Sequence, residues 1–182
     1  MHRSAIGVDQ HDAIITKPCS RTALADGWGG SMVATEIADI LVGTPSPVAI
    51  ETNMGVLKED QVNIIVHGHE PNLFESMVAS VAEPTLIQAA KDAGAKGLNL
   101  VGMCCSGLEM FSRHGTPHAG NFMSTETILV TGAVDAMVVD VQCIKQALAQ
   151  VAECYKTQMI TTNPRPRIEG GKHIEFQEDN PK

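Results

Sequence analysis

Three side chains that bind soft metals follow three predicted strands of this chain. His69 ends a His-Gly-His motif, Cys105 is the second residue of a Cys-Cys pair, and Cys143 ends a Val-Gln-Cys motif. The intervals from 69 to 105 and from 105 to 143 are 36 and 38 positions, about one strand-helix-strand unit each. One imidazole and two thiolates in an apolar crevice suit iron-sulfur chemistry or zinc, and not magnesium or calcium.

Each cysteine also has a purely structural interpretation, because cysteine is often buried as a small core side chain. We expect that role for Cys154, which falls in a predicted helix, whereas Cys143 alone fits both interpretations equally well. A structural zinc site is the competing metal hypothesis, although zinc commonly takes four ligands and only three are visible. The five cysteines do not suggest disulfides, because their number is odd and the sequence shows no signal-peptide pattern.

The elements that would position these residues alternate between strands and helices. Short apolar, β-branched runs predict parallel strands at 62–66, 98–101, 136–141 and 158–161. Helical patterns separate them at roughly 72–93, 124–131 and 145–154, the first interrupted near Pro84. This alternation predicts an α/β fold, a Rossmann-like parallel sheet flanked by helices, with the strand order open. Ligands bind beyond the carboxyl ends of such strands, so we expect His69, Cys105 and Cys143 at one edge, facing a common crevice.

A helical segment is predicted before the sheet. Residues 1–20 show little periodicity and are expected to be irregular, whereas apolar residues from Ser31 onwards have helical spacing that Gly43 ends. Glycines at 27, 29 and 30 are expected to break or join two helices. The predicted organisation is therefore an N-terminal helical segment at 1–45, left from a preceding helical domain, and a metal-cluster-binding domain at 46–182.

Composition excludes several classes of partner. The 182 residues carry a formal net charge of −8, which argues against nucleic acid and anionic membranes as partners. No apolar run approaches the ~18 residues that a membrane span needs. With no secretory signal pattern at the N-terminus, a cytoplasmic location is expected. Aromatic residues make up only 3%, so the core must be built from aliphatic side chains and methionine.

Seven segments in order along nearly the whole chain resemble the nickel-containing, anaerobic carbon monoxide dehydrogenases. These segments are 24–27, 38–45, 55–60, 62–71, 97–107, 131–143 and 152–155. The resemblance implies the reaction CO + H2O ⇌ CO2 + 2 H+ + 2 electrons at a nickel-iron-sulfur cluster. It further implies that His69 and Cys105 hold an iron outside the main cluster framework, where the iron acts as a Lewis acid toward water, and that Cys143 ligates a framework iron.

The same resemblance implies parts that this sequence does not contain. Members of the family carry cysteines for [4Fe–4S] relay clusters nearer the N-terminus, and further cluster cysteines in a later domain. We therefore expect a chain truncated at both ends, with a partial ligand set and no activity by itself. Flanking domains or a homodimer partner would complete it, and a ferredoxin-like protein would accept the electrons.

Two other functions remain open from the sequence. The related hybrid-cluster, hydroxylamine-reducing family shares the architecture, although the His-Gly-His and Val-Gln-Cys motifs favour the dehydrogenase. A non-catalytic α/β module is the other alternative. Among the neighbouring residues, Cys104 is either a buried thiol or an alternative ligand, and His67 is expected to support its turn through a hydrogen bond. His114 and His118 are expected in a solvated loop.

Overall fold

The structure is a computed structural model and describes residues 11–179. The chain divides into two compact units, Met1–Pro45 and Ser46–Lys182. Nowhere within residues 11–179 is a helix long and apolar enough to cross a membrane.

The second unit is built on a sheet of six parallel strands. The strands are β1 (Val62–His67), β2 (Leu98–Met103), β3 (His118–Gly120), β4 (Ala136–Val139), β5 (Gln158–Thr161) and β6 (Lys172–His173). Their order across the sheet is β3-β2-β1-β4-β5-β6, and every neighbouring pair is parallel. The four strands predicted from apolar runs are confirmed. The two strands that the sequence pattern missed, β3 and β6, have only three and two residues, too few to show a periodicity.

Helices connect consecutive strands from β1 to β5, as the alternation predicts. The helices of this unit are α3 (Pro71–Val81), α4 (Pro84–Asp92), α5 (Cys104–His114), α6 (Thr125–Val130) and α7 (Leu148–Cys154), with 3-10 turns at Met54–Val56 and Phe122–Ser124. The interruption predicted near Pro84 is confirmed, because α3 ends at Val81 and Pro84 begins α4 in the first helical turn, where proline is tolerated.

The sheet has an apolar core on each face, as a parallel sheet buried by helices requires. The larger core gathers Ile65, Val101, Met137 and Met159 from the strands with side chains of α6 and α7 such as Leu148. The smaller core, on alternate strand positions, consists of Val66 and Leu100 against Phe74 of α3 and Met110 of α5. These two cores fix the strand ends in place, since a shift of one residue would exchange the two faces.

The described part of the first unit, residues 11–45, is helical. It contains α1 (Asp12–Ala25), a π-helical stretch (Asp26–Val33) and α2 (Ala34–Val42), which ends at Gly43 with φ +88°. The glycines at 27, 29 and 30 join the two helices, as predicted, but the expectation of irregular structure is wrong from Asp12 onwards. The Asp12 carboxylate accepts the N–H of Ala13 in the first turn, and α1 continues through Pro18. Residues 1–10 lie outside the described part.

No side chain of these helices is buried. Large apolar residues are exposed instead, including Trp28, Ile40 and Leu41. Residues 11–45 therefore do not form an apolar core of their own.

Candidate metal centre

Three neighbouring strands carry the candidate ligands to one edge of the sheet. β2, β1 and β4 are adjacent and parallel. His69 follows the end of β1 by two residues, Cys105 is the second residue of α5, which begins directly after β2, and Cys143 follows β4 by four residues. All three therefore lie beyond the carboxyl ends of adjacent strands, where the sequence predicts them. Whether their side chains face one crevice stays a prediction.

The cysteine thiols of this edge are close enough to influence one another. All cysteines of the described residues are free; Cys104 is buried, Cys143 is half-buried and Cys105 is exposed. Burial, with the neighbouring Cys143 and Cys105, raises the pKa of Cys104 to about 12. Burial raises the pKa of Cys105 as well, followed by the effects of Cys143, Glu109 and Asp140. In the absence of a cation the local environment thus favours the neutral thiols of Cys104 and Cys105.

The backbone of this edge adopts uncommon conformations. Cys104, Gln142 and Cys143 have φ values of 57°, 60° and 53°, in the left-handed region that residues other than glycine rarely occupy. Lys156, at a turn before β5, is the other such residue among those described. Strained backbone of this kind clusters at functional sites because the surrounding structure must hold it there. Of these three residues, Cys143 is a candidate ligand and Cys104 directly precedes the candidate ligand Cys105.

Two histidines at this edge have buried ring nitrogens without hydrogen-bond partners. The first histidine is His67, which is 0% exposed and has no partner at either ring nitrogen. The second is the half-buried His69, which has no partner at Nδ1. Burial lowers the pKa of His67 to about 4, although backbone groups of Cys143 and Met103 act in the opposite direction. The expectation that His67 supports its turn through a hydrogen bond is therefore wrong.

A carboxylate that the sequence analysis missed lies at the centre of this edge. Asp140 directly follows β4 and is 1% exposed. Its carboxylate accepts the N–H groups of His69 at 2.6 Å and Glu70 at 3.1 Å, that of Val141, and the Ser106 hydroxyl at 3.4 Å. Burial raises the pKa of Asp140, and its backbone donors oppose that shift. The only signal in the sequence was an acidic residue within the otherwise apolar run 136–141, which ends as a strand at Val139.

Of the two histidines expected in a solvated loop, His114 is exposed as predicted, although it lies in a helix, and His118 is buried. His118 was expected in a solvated loop, but it is 3% exposed in β3. Its ring pairs with the Thr52 hydroxyl at Nδ1 (2.9 Å) and with the Cys104 carbonyl at Nε2 (3.2 Å). His114 is in the last turn of α5 and pairs with Glu75 at 2.9 Å. The prediction for His118 failed because the loop between α5 and α6 contains the short strand β3.

The three remaining cysteines have different environments. Cys154 ends α7 and is exposed, so its predicted role as a core side chain is wrong. Cys19 is an exposed residue of α1. The buried state of Cys104 agrees with the buried-thiol interpretation.

The donors at this edge match a metal cluster in chemistry but do not form a complete site for one ion. Thiols of Cys105 and Cys143 and the unpartnered Nδ1 of His69 are soft ligands of the type that iron-sulfur clusters and zinc accept. Among residues 11–179, however, no three His, Cys, Asp or Glu side chains are grouped so that they could hold one metal ion. This result counts against a self-contained zinc site in that range.

Fold and edge together define an α/β protein with a parallel sheet and soft ligands beyond its strand ends. The whole chain, residues 1–182, matches the Prismane/CO dehydrogenase family, and the chain belongs to that family. Carbon monoxide dehydrogenase 1 of Methanosarcina mazei is 51% identical over 179 residues, covering 98% of this chain and 28% of the relative. Carbon monoxide dehydrogenase 1 of Carboxydothermus hydrogenoformans is 49% identical over 181 residues, covering 99% and 28%.

Solved structures agree with the sequence relatives. A nickel-free carbon monoxide dehydrogenase from Thermococcus sp. AM4 matches with a TM-score of 0.89 and 50% identity, covering 98% of this chain and 28% of that one. An acetyl-CoA synthase/carbon monoxide dehydrogenase matches with a TM-score of 0.85 and 46% identity, covering 97% and 26%. The family resemblance is confirmed, and this chain spans little more than a quarter of the length of these relatives.

Proposed function

We propose that this chain is part of an oxidoreductase that interconverts CO and CO2 at a nickel-iron-sulfur cluster. His69 and Cys105 would hold an iron outside the cluster framework, and Cys143 would ligate an iron within it. One observation carries the proposal: the buried Nδ1 of His69, unpartnered in the described part of the chain, lies at the same strand edge as the free thiols of Cys105 and Cys143. A buried nitrogen without a partner is costly unless a ligand satisfies it.

The cluster, when bound, would supply a nickel for CO, a Lewis-acidic iron for water and storage for two electrons. The chain's own residues would hold and shield it. A cationic metal would favour the thiolates of Cys105 and Cys143, although burial raises the pKa of Cys105 in the protein alone. The left-handed backbone at Gln142 and Cys143 would set the direction of the Cys143 thiol.

Other parts of a larger protein or assembly would supply what these three ligands do not. We infer that additional cluster cysteines and [4Fe–4S] relay clusters come from flanking domains or a homodimer partner, with a ferredoxin-like electron acceptor. Since low-potential clusters with accessible thiolates oxidise readily, the proposal also places the protein in the reducing cytoplasm.

The test is anaerobic reconstitution of the 182-residue chain with nickel, iron and sulfide, followed by metal analysis. We expect bound iron, with iron affinity lowered more than about tenfold by His69→Ala or Cys105→Ser, because even groups that only support metal ligands contribute about 10–100-fold. Cys154→Ser is the matched control, since it removes an exposed thiol outside the site. A viologen-coupled assay should detect no CO oxidation by the isolated chain, and turnover should appear when the flanking segments of the protein are supplied separately.

Each contrary outcome points to another function. Iron without nickel in the complete assembly would favour the hybrid-cluster alternative. No metal in any form would favour a non-catalytic α/β module. CO oxidation by the isolated chain that His69→Ala abolishes would contradict the partial ligand set and imply a cluster assembled between copies.

A further inference from the structure

Three segments follow β1, β2 and β4 at the carboxyl edge, and each contains one candidate ligand. The Asp140 carboxylate accepts hydrogen bonds from all three segments. After β1 it accepts the N–H of His69 at 2.6 Å and of Glu70 at 3.1 Å. At the start of α5 it accepts the Ser106 hydroxyl at 3.4 Å. After β4, its own strand, it accepts the N–H of Val141. One carboxylate thus connects the three segments by hydrogen bonds beyond the point where the sheet pairing of β1, β2 and β4 ends.

Every one of these contacts is at or beside a candidate ligand. His69 is itself bonded through its N–H, Ser106 directly follows Cys105, and Val141 precedes Cys143 by two residues. The Ser106 N–H also donates to the Gly68 carbonyl at 2.8 Å, which ties the Cys105 segment to the His69 segment a second time. The three segments therefore cannot move independently while the carboxylate is in place.

We propose that Asp140 is a positioning residue whose buried carboxylate holds the segments of His69, Cys105 and Cys143 in one mutual arrangement. This inference rests on the proposed function only for the identity of the three ligands. The arrangement itself does not depend on whether a metal binds.

The surroundings of Asp140 favour a carboxylate over other side chains. Its backbone partners are all N–H donors, so an amide in this place would point an NH2 group at one of them. Gly68 leaves room for it, because a Cβ on Gly68 would overlap the Asp140 carboxylate, and φ of +142° at Gly68 also requires glycine. A charged acceptor forms stronger bonds to backbone N–H groups than a neutral one does.

A purely stabilising carboxylate provides the matched control. Asp135, at the beginning of β4, accepts the N–H of Asn63 at 2.7 Å, at the opposite edge of the same sheet. Asp135→Asn and Asp140→Asn make the same chemical change before and after the same strand. Only the second lies beside the candidate ligands.

The experiment measures the arrangement in the metal-free chain in two ways. Amide hydrogen exchange by NMR should show protection falling about tenfold in Asp140→Asn at those N–H groups of His69, Glu70 and Val141 that face the new NH2 group, roughly the loss of one hydrogen bond each. The second measurement uses dibromobimane, which fluoresces when both of its arms react with thiols, on chains that retain only Cys105 and Cys143. The fluorescent yield should fall in Asp140→Asn and stay unchanged in Asp135→Asn.

Ser106→Ala keeps the test decisive if Asp140→Asn does not fold. It removes a single bond, so the dibromobimane yield should fall by about twofold or more, with His69 protection unchanged. Unchanged exchange and yield in Asp140→Asn, or an equal change in Asp135→Asn, would overturn the proposal. If only Ser106→Ala folds, an unchanged dibromobimane yield in that variant would also overturn the proposal. Failure of metal to bind the parent chain would contradict the proposed function alone, because neither measurement contains metal.

Discussion

The buried asparagines at one edge of the sheet and two histidines, His67 and His69, at the other edge differ in hydrogen bonding. At the amino edge, where β1, β2 and β4 begin, the buried amides have several partners each. At the carboxyl edge, where the same strands end, two histidines bury ring nitrogens that have none among the described residues. The same strands and the same apolar cores support both edges, so the difference does not come from the fold.

Asn63 is the centre of the amino edge. It is 2% exposed, and its side chain donates to the carbonyls of Lys58 and Ala133 at 2.8 Å each. Its side-chain oxygen accepts the N–H of Lys58 at 3.0 Å and the Asn99 amide at 2.8 Å. This network fastens the connections that lead into β1 and β4, which is a structural task that needs no ligand.

The carboxyl edge combines unpartnered nitrogens with strained backbone. His67 is as buried as Asn63 but makes no hydrogen bond through its ring, and Cys104, Gln142 and Cys143 are in the left-handed region. Such features lower stability unless something compensates for them. The comparison teaches that Asn63 at the amino edge is satisfied by the chain's own groups, whereas His67 and Nδ1 of His69 at the carboxyl edge have no ring partner among the described residues.

The largest expected effect is at the amino edge. Asn63→Ala should lower the free energy of unfolding by about 3 kcal/mol or more, because each buried group left without its partner costs roughly 1–3 kcal/mol. Urea unfolding followed by circular dichroism measures this. Asn53→Ala is the control, since Asn53 is exposed and its side chain reaches only Glu51. Similar small losses in both variants would show that the Asn63 network does not stabilise this edge.

The sequence predicted the sheet well because its signals are local. Apolar β-branched runs such as 62–66 mark a buried strand by composition, and a turn residue such as Pro84 marks a break in a helix. The short strands β3 and β6 escaped prediction because tertiary pairing, and not their own sequence, makes them strands. The helix from Asp12 onwards was missed because none of its residues is buried, so its sequence lacks the apolar periodicity of a packed helix.

For the candidate site, the sequence predicted location and not interactions. Equivalent positions after consecutive parallel strands must share an edge, so the common edge of His69, Cys105 and Cys143 followed from spacing. The role of Asp140 did not, since its partners are backbone N–H groups up to 71 positions away. The environments of His67 and His118 were also missed, because burial of a single histidine is decided by neighbours from distant segments.

A second prediction compares two buried histidines. His67→Leu should raise the free energy of unfolding of the metal-free chain by about 1 kcal/mol, since it removes polar nitrogens that lack partners and keeps an apolar side chain in place. His118→Leu should lower it by roughly 1–3 kcal/mol, because Thr52 and the Cys104 carbonyl lose their partner. Thermal and urea unfolding of both variants measure the contrast. Equal losses in the two variants would mean that the ring nitrogens of His67 contribute to stability as those of His118 do.

The smallest expected effect is a dependence of stability on pH through His118, on the edge strand β3. Burial lowers the pKa of His118 in the folded chain, only partly opposed by the Cys104 carbonyl. As the pH falls through about 6.5, the usual pKa of an unfolded histidine, the unfolded chain binds a proton that the folded chain does not. The unfolded state is then favoured, so His118 should make the free energy of unfolding decrease toward acid pH.

The measurement that isolates this contribution is urea unfolding of the parent chain and of His118→Gln at pH 7.5, 6.5 and 5.5. We expect His118→Gln to be less stable than the parent at pH 7.5, since glutamine does not reproduce both hydrogen bonds of the ring, and the difference to shrink as the pH falls. Val134→Ala, a core change in the same unit, should lower stability by the same amount at all three values. A difference between parent and His118→Gln that grows toward acid pH would mean that the folded chain binds the proton more tightly than the unfolded chain. In that case His118 would belong with groups that gain a charged partner on folding, and its pairing with neutral Thr52 and Cys104 would not describe its environment.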